Sequence, residues 1–230
     1  ACMKIGAIVV PIYHSSVQDQ VSYIINDAKV SIVLVENEEQ LIKIRNIQNT
    51  ISLSKVIIID KIEGALKSNE IYFTDLLKSI SYEATFAEIQ KSDIASIVYT
   101  SGTTGEPKGA MISHDNFLYE AEVIDKVGII SSKDTQLLLL PLAHIFARIL
   151  EMAWLRTGHL LGFAQSIEQA VDNMEIIKPT FMAGVPRIFE KIKSKVMETA
   201  LNQNVIKKSI AQFAFSNTSK FINENSLASS

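Results

Sequence analysis

Residues 99–109 carry the side chains whose types and spacing most clearly suggest chemistry. Their sequence is Tyr-Thr-Ser-Gly-Thr-Thr-Gly-Glu-Pro-Lys-Gly, which contains five hydroxyl groups, three glycines and one lysine. Glycine lets backbone N–H groups approach an anion closely, hydroxyl groups add hydrogen-bond donors, and lysine adds a positive charge. Because apolar runs stand on both sides of this stretch, we predict two strands joined by a phosphate-binding loop.

Two common phosphate-binding motifs do not fit this stretch. In P-loop NTPases, four residues separate the first glycine from Gly-Lys-Ser/Thr, so a glycine stands five positions after the first. Here the residue five positions after Gly102 is Pro107. Glycines at 102, 105 and 109 do not form the dinucleotide fingerprint either. The alternative interpretation is a surface hairpin rich in turn-forming residues, which composition alone favours. The ordered combination of Ser-Gly-Thr-Thr-Gly with Pro-Lys-Gly favours phosphate binding.

The hydrophobic fraction and the net charge indicate a folded protein that is not strongly basic. The chain has 230 residues, 47% of them hydrophobic, which fits one large domain or two small ones. A net charge of −3 gives no indication of nucleic acid as a partner. The single cysteine, Cys2, excludes an internal disulfide, and the apolar runs are too short to span a bilayer. We expect a cytoplasmic protein, with peripheral contact to a membrane left open.

Strand-like and helix-like patterns alternate on both sides of the loop. Short β-branched runs are separated by segments with apolar residues at helical spacing, and crossovers of this length imply parallel sheets. We therefore predict an α/β fold with two Rossmann-like β-α-β halves, mainly parallel sheets and a β-hairpin phosphate loop joining the halves. The predicted strands are 7–13, 31–36, 55–60, 136–141, 159–163 and 180–185, and the predicted helices are 17–28, 38–47, 72–80, 115–127, 144–155, 167–177, 187–200 and 205–221.

This pattern also predicts how the chain is divided. Residues 1–91 would form the first half, with 61–70 as a loop, and residues 92–113 the phosphate-loop hairpin. Residues 114–222 would form the second half and residues 223–230 a polar tail.

Four segments together resemble the adenylate-forming, or acyl-activating, superfamily, and are most similar to its long-chain fatty acyl-CoA synthetases. Residues 100–109 match the phosphate loop of the superfamily in full. Residues 6–13 resemble an early strand, 140–148 a segment that contributes to the acyl pocket, and 183–192 a stretch typical of the long-chain branch. The resemblance covers most of residues 1–200 and implies the large N-terminal domain of such an enzyme.

The resemblance implies a long-chain fatty acid–CoA ligase. A fatty acid would react with ATP to give an acyl-adenylate and pyrophosphate, and CoA would then take the acyl group and release AMP. Fatty acid, ATP and CoA are the implied partners, and Mg²⁺ would bridge phosphate oxygens. The resemblance assigns no metal ligand and no catalytic residue within these 230 residues. The implied ATP phosphate ligands are Thr100, Ser101, Gly102, Thr103, Thr104, Gly105 and Lys108.

Three residues are candidates for an acyl or adenylate pocket. His144 stands at the end of a predicted strand, where active sites of open α/β sheets gather, although a lone histidine among apolar residues is usually structural. Phe146 is a candidate gate or an ordinary core aromatic residue. Gly184 would let a substrate approach the backbone, or simply end a strand. We interpret His159 as structural.

The resemblance also implies parts that this sequence lacks, namely the adenine- and ribose-binding motifs and a small C-terminal domain with a catalytic lysine. We therefore expect residues 1–230 to be inactive alone and to expose apolar sheet edges, which predicts self-association such as a homodimer. The alternatives are another carboxylate-adenylating enzyme, such as an aryl-CoA ligase or a peptide-synthetase adenylation domain, or a non-catalytic nucleotide-binding or interaction module.

Overall fold

A computed structural model describes residues 2–78, 88–100 and 106–201 of the chain. Two compact units make up the chain, and neither is one continuous stretch. The first comprises the described residues between 2 and 126 and residues 141–153, and the second comprises residues 127–140 and 154–201. The predicted helix at 205–221 and the polar tail lie outside the described residues.

The first unit contains a three-stranded parallel sheet in the order β1-β2-β3. Two amphipathic helices supply Ile25 and Leu41, which pack with Val35 and Ile58 of the sheet in one buried cluster. Burial of such side chains stabilises a fold by about 1.5–3 kcal/mol each. The elements are α1 (Gln18–Asp27), β1 (Ile32–Val35), α2 (Glu38–Asn46), β2 (Lys55–Ile58), β3 (Glu70–Tyr72) and α3 (Phe73–Lys78).

A buried ion pair attaches β3 to α2. Arg45 Nε and Nη2 donate to the two carboxylate oxygens of Glu70 at 2.9 and 2.6 Å, and the backbone N–H of Lys67 donates to the same carboxylate at 2.8 Å. The hydrogen bonds from Arg45 are the main reason why the pKa of Glu70 is lowered. This contact joins residues 25 positions apart, and the sequence analysis had placed residue 70 in a loop.

The predicted strand at 7–13 is wrong in extent. Val9 alone forms a bridge to the next strand, where its N–H donates to Ala95 O and its carbonyl accepts from Ile97 N, both at 3.0 Å. The Ser96 hydroxyl also donates to this carbonyl at 2.6 Å. Two residues later Pro11 has no N–H to continue a ladder, so the apolar run does not form a regular strand.

An antiparallel hairpin follows, and it is the predicted one. Strand β4 (Ile94–Thr100) pairs with β5 (Lys108–Ser113), and Thr100 faces Lys108 at the end of the ladder. Helix α4 (His114–Val127) then begins with a reciprocal cap. Ser113 N donates to Asn116 Oδ1 at 3.0 Å, and Asn116 N donates to Ser113 Oγ at 3.2 Å.

One face of the first sheet keeps apolar side chains at the surface. Ile32 and Leu34 of β1, an edge strand, are 54% and 56% exposed. Such an edge favours association with other chains, and the homodimer stays a prediction. Within the described ranges, no helix combines the length and apolar character needed to cross a membrane.

The second unit also contains a parallel sheet, in the order β7-β6-β8. Its central strand is almost fully buried, which matches the unbroken apolar run of residues 137–140. With parallel sheets in both units and the hairpin at 94–113, the predicted α/β fold is confirmed. Its other elements are β6 (Thr135–Leu138), β7 (Leu160–Phe163), α6 (Ala170–Ile177), β8 (Phe181–Ala183) and α7 (Pro186–Leu201). Helix α5 (Ile145–Thr157) belongs to the first unit up to residue 153 and to the second from residue 154.

A buried polar network crosses this second sheet. His159 is 3% exposed, its Nδ1 lies 2.5 Å from Thr157 Oγ1, and its Nε2 lies 2.7 Å from Gln136 Oε1. The structural interpretation of His159 therefore agrees with its surroundings. Burial lowers the pKa of His159, and the nearby Asp134 carboxylate opposes that shift.

The lowered pKa of His159 predicts a pH-dependent stability. In the unfolded chain a histidine titrates near pH 6.5, so below that pH the unfolded state binds the proton more readily than the folded state. We expect the free energy of unfolding to fall as pH drops from about 7 to 5. In His159→Gln this slope should be smaller, as measured by urea unfolding at several pH values. The control His14→Gln changes an exposed histidine and should keep the slope. Equal slopes in all three proteins would contradict the assignment.

Candidate functional site

Of the predicted phosphate loop, the structure describes the residues at its two ends. Thr100 and Lys108 lie opposite each other as the last pair of the hairpin, and both side chains are exposed. The ladder therefore holds β4 and β5 in register up to the two residues that flank the predicted loop. The predicted ligands Ser101, Gly102, Thr103, Thr104 and Gly105 lie outside the described residues.

Tyr99 fixes the base of this loop to α1. Its hydroxyl donates to Asp27 Oδ2 at 2.5 Å, and its ring meets that of Tyr23 edge to face, with centroids 6.4 Å apart. Burial and the bond to Asp27 raise the pKa of Tyr99, so the phenol stays a neutral donor. The hairpin is thereby anchored one residue before the first predicted phosphate ligand.

Gly109 is the cross-strand partner of Tyr99, and a larger residue there would be crowded. A Cβ at position 109 would lie 2.8 Å from Ile97 Cγ2 and 3.0 Å from Tyr99 Cζ. Since Asp27 holds the end of the Tyr99 side chain, the ring has little freedom to move away. The last glycine of the motif is thus required by packing below the loop. The sequence analysis missed the contact between Tyr99 and Asp27, because they are 72 positions apart.

His144 is the residue that caps α5. Its Nδ1 accepts a hydrogen bond from Phe146 N at 3.3 Å, and its carbonyl accepts from Ala147 N at 3.0 Å. Because Nδ1 is an acceptor, the proton of a neutral ring is on Nε2, which has no hydrogen-bond partner among the described residues. His144 is half-buried. It therefore has a structural role and also keeps one donor for a ligand.

The other two pocket candidates are less constrained by their surroundings. Phe146 is half-buried in the first unit, next to the cap of α5. Gly184 is half-buried in the second unit, and a Cβ there would meet Phe189 Cε2 at 3.5 Å, an ordinary contact. Packing does not require glycine at position 184. A pocket that contains these residues stays a prediction.

Other features of the described residues give no further candidate for the predicted chemistry. No group of three or more His, Cys, Asp or Glu side chains within the described ranges is arranged to hold a metal ion. A cleft of about 290 Å³ in the first unit lies beside the ion pair of Arg45 and Glu70. None of the residues lining that cleft is a predicted phosphate or pocket residue.

Comparison with known proteins gives consistent matches over most of the chain. The profile of the family described as AMP-binding enzyme matches residues 1–220. Long-chain-fatty-acid--CoA ligase ACSBG2 of Homo sapiens is 36% identical over 217 residues, which cover 88% of this chain and 32% of that protein. Long chain acyl-CoA synthetase 2 of Arabidopsis thaliana is 29% identical over 231 residues, which cover 94% of this chain and 35% of that protein.

A solved structure shares the fold. The long-chain-fatty-acid-CoA ligase (FadD1) from Archaeoglobus fulgidus superimposes with a TM-score of 0.70 at 23% identity, covering 86% of this chain and 38% of that one. The chain spans about a third of the length of the curated relatives it matches.

A methyl group at position 109 tests the packing below the loop. We expect Gly109→Ala to lower the free energy of unfolding by about 1–3 kcal/mol, because the added Cβ overlaps Ile97 and the anchored Tyr99. The matched control is Gly184→Ala, whose Cβ makes an ordinary contact and should cost little. Chemical unfolding followed by circular dichroism measures both. Gly109→Ala with the stability of the unchanged protein would contradict the described packing.

Proposed function

The chain belongs to the AMP-binding enzyme family, and from this premise we propose that it is the phosphate-binding part of a long-chain fatty acid–CoA ligase. The observation that carries the proposal is the family match over residues 1–220, combined with relatives named as long-chain ligases over about nine-tenths of the chain. Because the chain spans about a third of those relatives, the complete activity is proposed for a longer polypeptide that contains these residues.

The proposed reaction has two steps. In the first, a carboxylate oxygen of the fatty acid attacks the α-phosphorus of ATP, an acyl-adenylate forms and pyrophosphate leaves. In the second, the thiol of CoA attacks the acyl carbon, a thioester forms and AMP leaves. Both steps depend mainly on positioning and on stabilising negative charge.

The phosphate loop would supply that positioning for ATP. In this proposal, its hydroxyl groups and glycine N–H groups bind the β- and γ-phosphates, and Lys108 approaches them as a mobile cation. Three described features support it: the register that ends at Thr100 and Lys108, the exposure of both side chains, and the anchor from Tyr99 to Asp27. The proposed ligands are Thr100, Ser101, Gly102, Thr103, Thr104, Gly105 and Lys108.

The acyl or adenylate pocket would involve His144, Phe146 and Gly184. The unbonded Nε2–H of His144 is suited to donate to a carboxylate or adenylate oxygen, since Nδ1 is already used by the helix cap. In this proposal His144 lines the pocket and orients the substrate, and it does not accept a proton. The half-buried Phe146 would limit the pocket, and Gly184 would allow close approach of the substrate to the backbone.

Mg²⁺ and CoA enter the proposal as reaction partners. Mg²⁺ would arrive bound to the ATP phosphates, and we propose no protein ligand for it among residues 1–230. CoA would arrive after adenylate formation. We further propose a cytoplasmic location with peripheral membrane contact, which suits a fatty acid substrate.

Isotope exchange tests the proposed reaction in the longer polypeptide. We expect labelled pyrophosphate to exchange into ATP when a long-chain fatty acid is added, because adenylate formation is reversible. Acetate and a free amino acid serve as controls and should give little exchange. Equal exchange with these controls would reject the long-chain substrate and favour another adenylating enzyme. No exchange with any carboxylate would reject adenylation.

A second expectation concerns residues 1–230 by themselves. We expect no acyl-CoA formation and at most weak ATP binding, because the motifs implied for adenine, ribose and the catalytic lysine are not in this sequence. Calorimetric titration with ATP and a coupled assay for AMP release measure the two properties. Robust turnover by these residues alone would show that the loop and the candidate pocket suffice for catalysis.

A further inference from the structure

Arg148 is a buried cation without a counter-ion in the described part of the chain. It lies on α5 and is 6% exposed. Its Nε has no hydrogen-bond partner, and no ion pair among the described residues includes it. The sequence analysis assigned it no role.

The immediate neighbours of Arg148 compensate its charge only in part. Its guanidinium carbon lies 5.5 Å from the centre of the Phe117 ring, which is a favourable cation–π contact. Glu151, three positions further along α5, acts electrostatically on the guanidinium without forming an ion pair. Burial lowers the pKa of Arg148, yet a guanidinium keeps its charge in proteins. The Nε–H of the guanidinium is therefore left without an acceptor among the described residues.

Such an arrangement is costly unless an anion completes it. Removing a cation from water costs several kcal/mol, and an unpaired buried donor adds to that cost. The first unit contains a direct contrast. Arg45 has a similar guanidinium, but both of its donating nitrogens bind the Glu70 carboxylate.

The surroundings of Arg148 also favour negative charge. His144 stands one turn earlier on the same helix, and its Nε2–H has no partner among the described residues. Long side chains in helices tend to lean toward the N-terminal end, which for Arg148 is the turn that His144 caps. The positive end of the helix dipole is at this same turn.

We propose that Arg148 is the cationic centre of an oxyanion site at the N-terminal end of α5, which binds a carboxylate or phosphate group. The planar guanidinium suits both groups, because each presents two oxygens to paired N–H donors. The site deepens the proposed function, because it shares the Nε2–H of His144 with the proposed pocket and adds Arg148 to it. It concerns binding alone, so a failure to adenylate would leave it unaffected.

Nuclear magnetic resonance on the 230-residue protein tests this site without any substitution. Each arginine gives an Nε–Hε signal, and that of Arg148 is identified by its proximity to the Phe117 ring. We expect sodium acetate, inorganic phosphate or both to move this signal, and sodium chloride at equal ionic strength to leave it in place. A larger shift of this signal with acetate would indicate a carboxylate ligand, and a larger shift with phosphate would indicate a phosphate ligand. The Arg45 signal is the internal control and should stay fixed, because its Nε already donates to Glu70.

Substitutions measure the strength of the contact. Arg148→Met removes the charge at similar length and should weaken binding of the effective anion about ten- to a hundredfold, as expected for a charge-assisted hydrogen bond. Affinity in the substituted proteins is read from the backbone amide signals at the N-terminal end of α5. Arg148→Lys keeps the charge without the planar fork and should bind with intermediate affinity. A signal that moves no more with acetate and phosphate than with chloride would overturn the proposal. Unchanged affinity in a folded Arg148→Met would do so as well.

Discussion

The hydrogen bond from Tyr99 to Asp27 is the constraint on which the candidate phosphate site depends. It holds the ring of Tyr99 in place, and this ring together with Ile97 would crowd a Cβ at position 109. That glycine sits one position after Lys108, so the packing below the hairpin fixes where both loop ends emerge. A loop of small polar residues has little packing of its own to order it.

Much of the fold could be predicted because the central strands have simple patterns. Continuous β-branched or leucine-rich runs correctly predicted β1, β2 and β6. β-branched residues favour strands, and the leucine-rich β6 is almost fully buried. The same rule overextended the strand at 7–13, where Pro11 stops the ladder. It also missed β3, which has three residues and is held by the distant Arg45. Such short strands depend on tertiary contacts that local patterns do not contain.

In the candidate site, too, some features could be predicted from local sequence and others depend on tertiary contacts. The phosphate loop and His144 were predicted from motifs whose residues are close together in the sequence. The capping role of His144, the anchor at Asp27 and the unpaired charge of Arg148 depend on which side chains meet after folding. From sequence alone, an arginine such as Arg148 on an amphipathic helix is expected to be a solvated side chain. Only its burial against Phe117 shows that it is unusual.

The division of the chain into interleaved units has a consequence for its synthesis. The first unit needs residues 141–153, and the second needs residues 127–140, so each unit contains a segment that lies within the sequence span of the other. During translation the first unit remains incomplete until residue 153 has left the ribosome. By then the segment 127–140, with its run of leucines, has already emerged without its neighbouring strands. This interval is when the nascent chain is most exposed to chaperones and to aggregation.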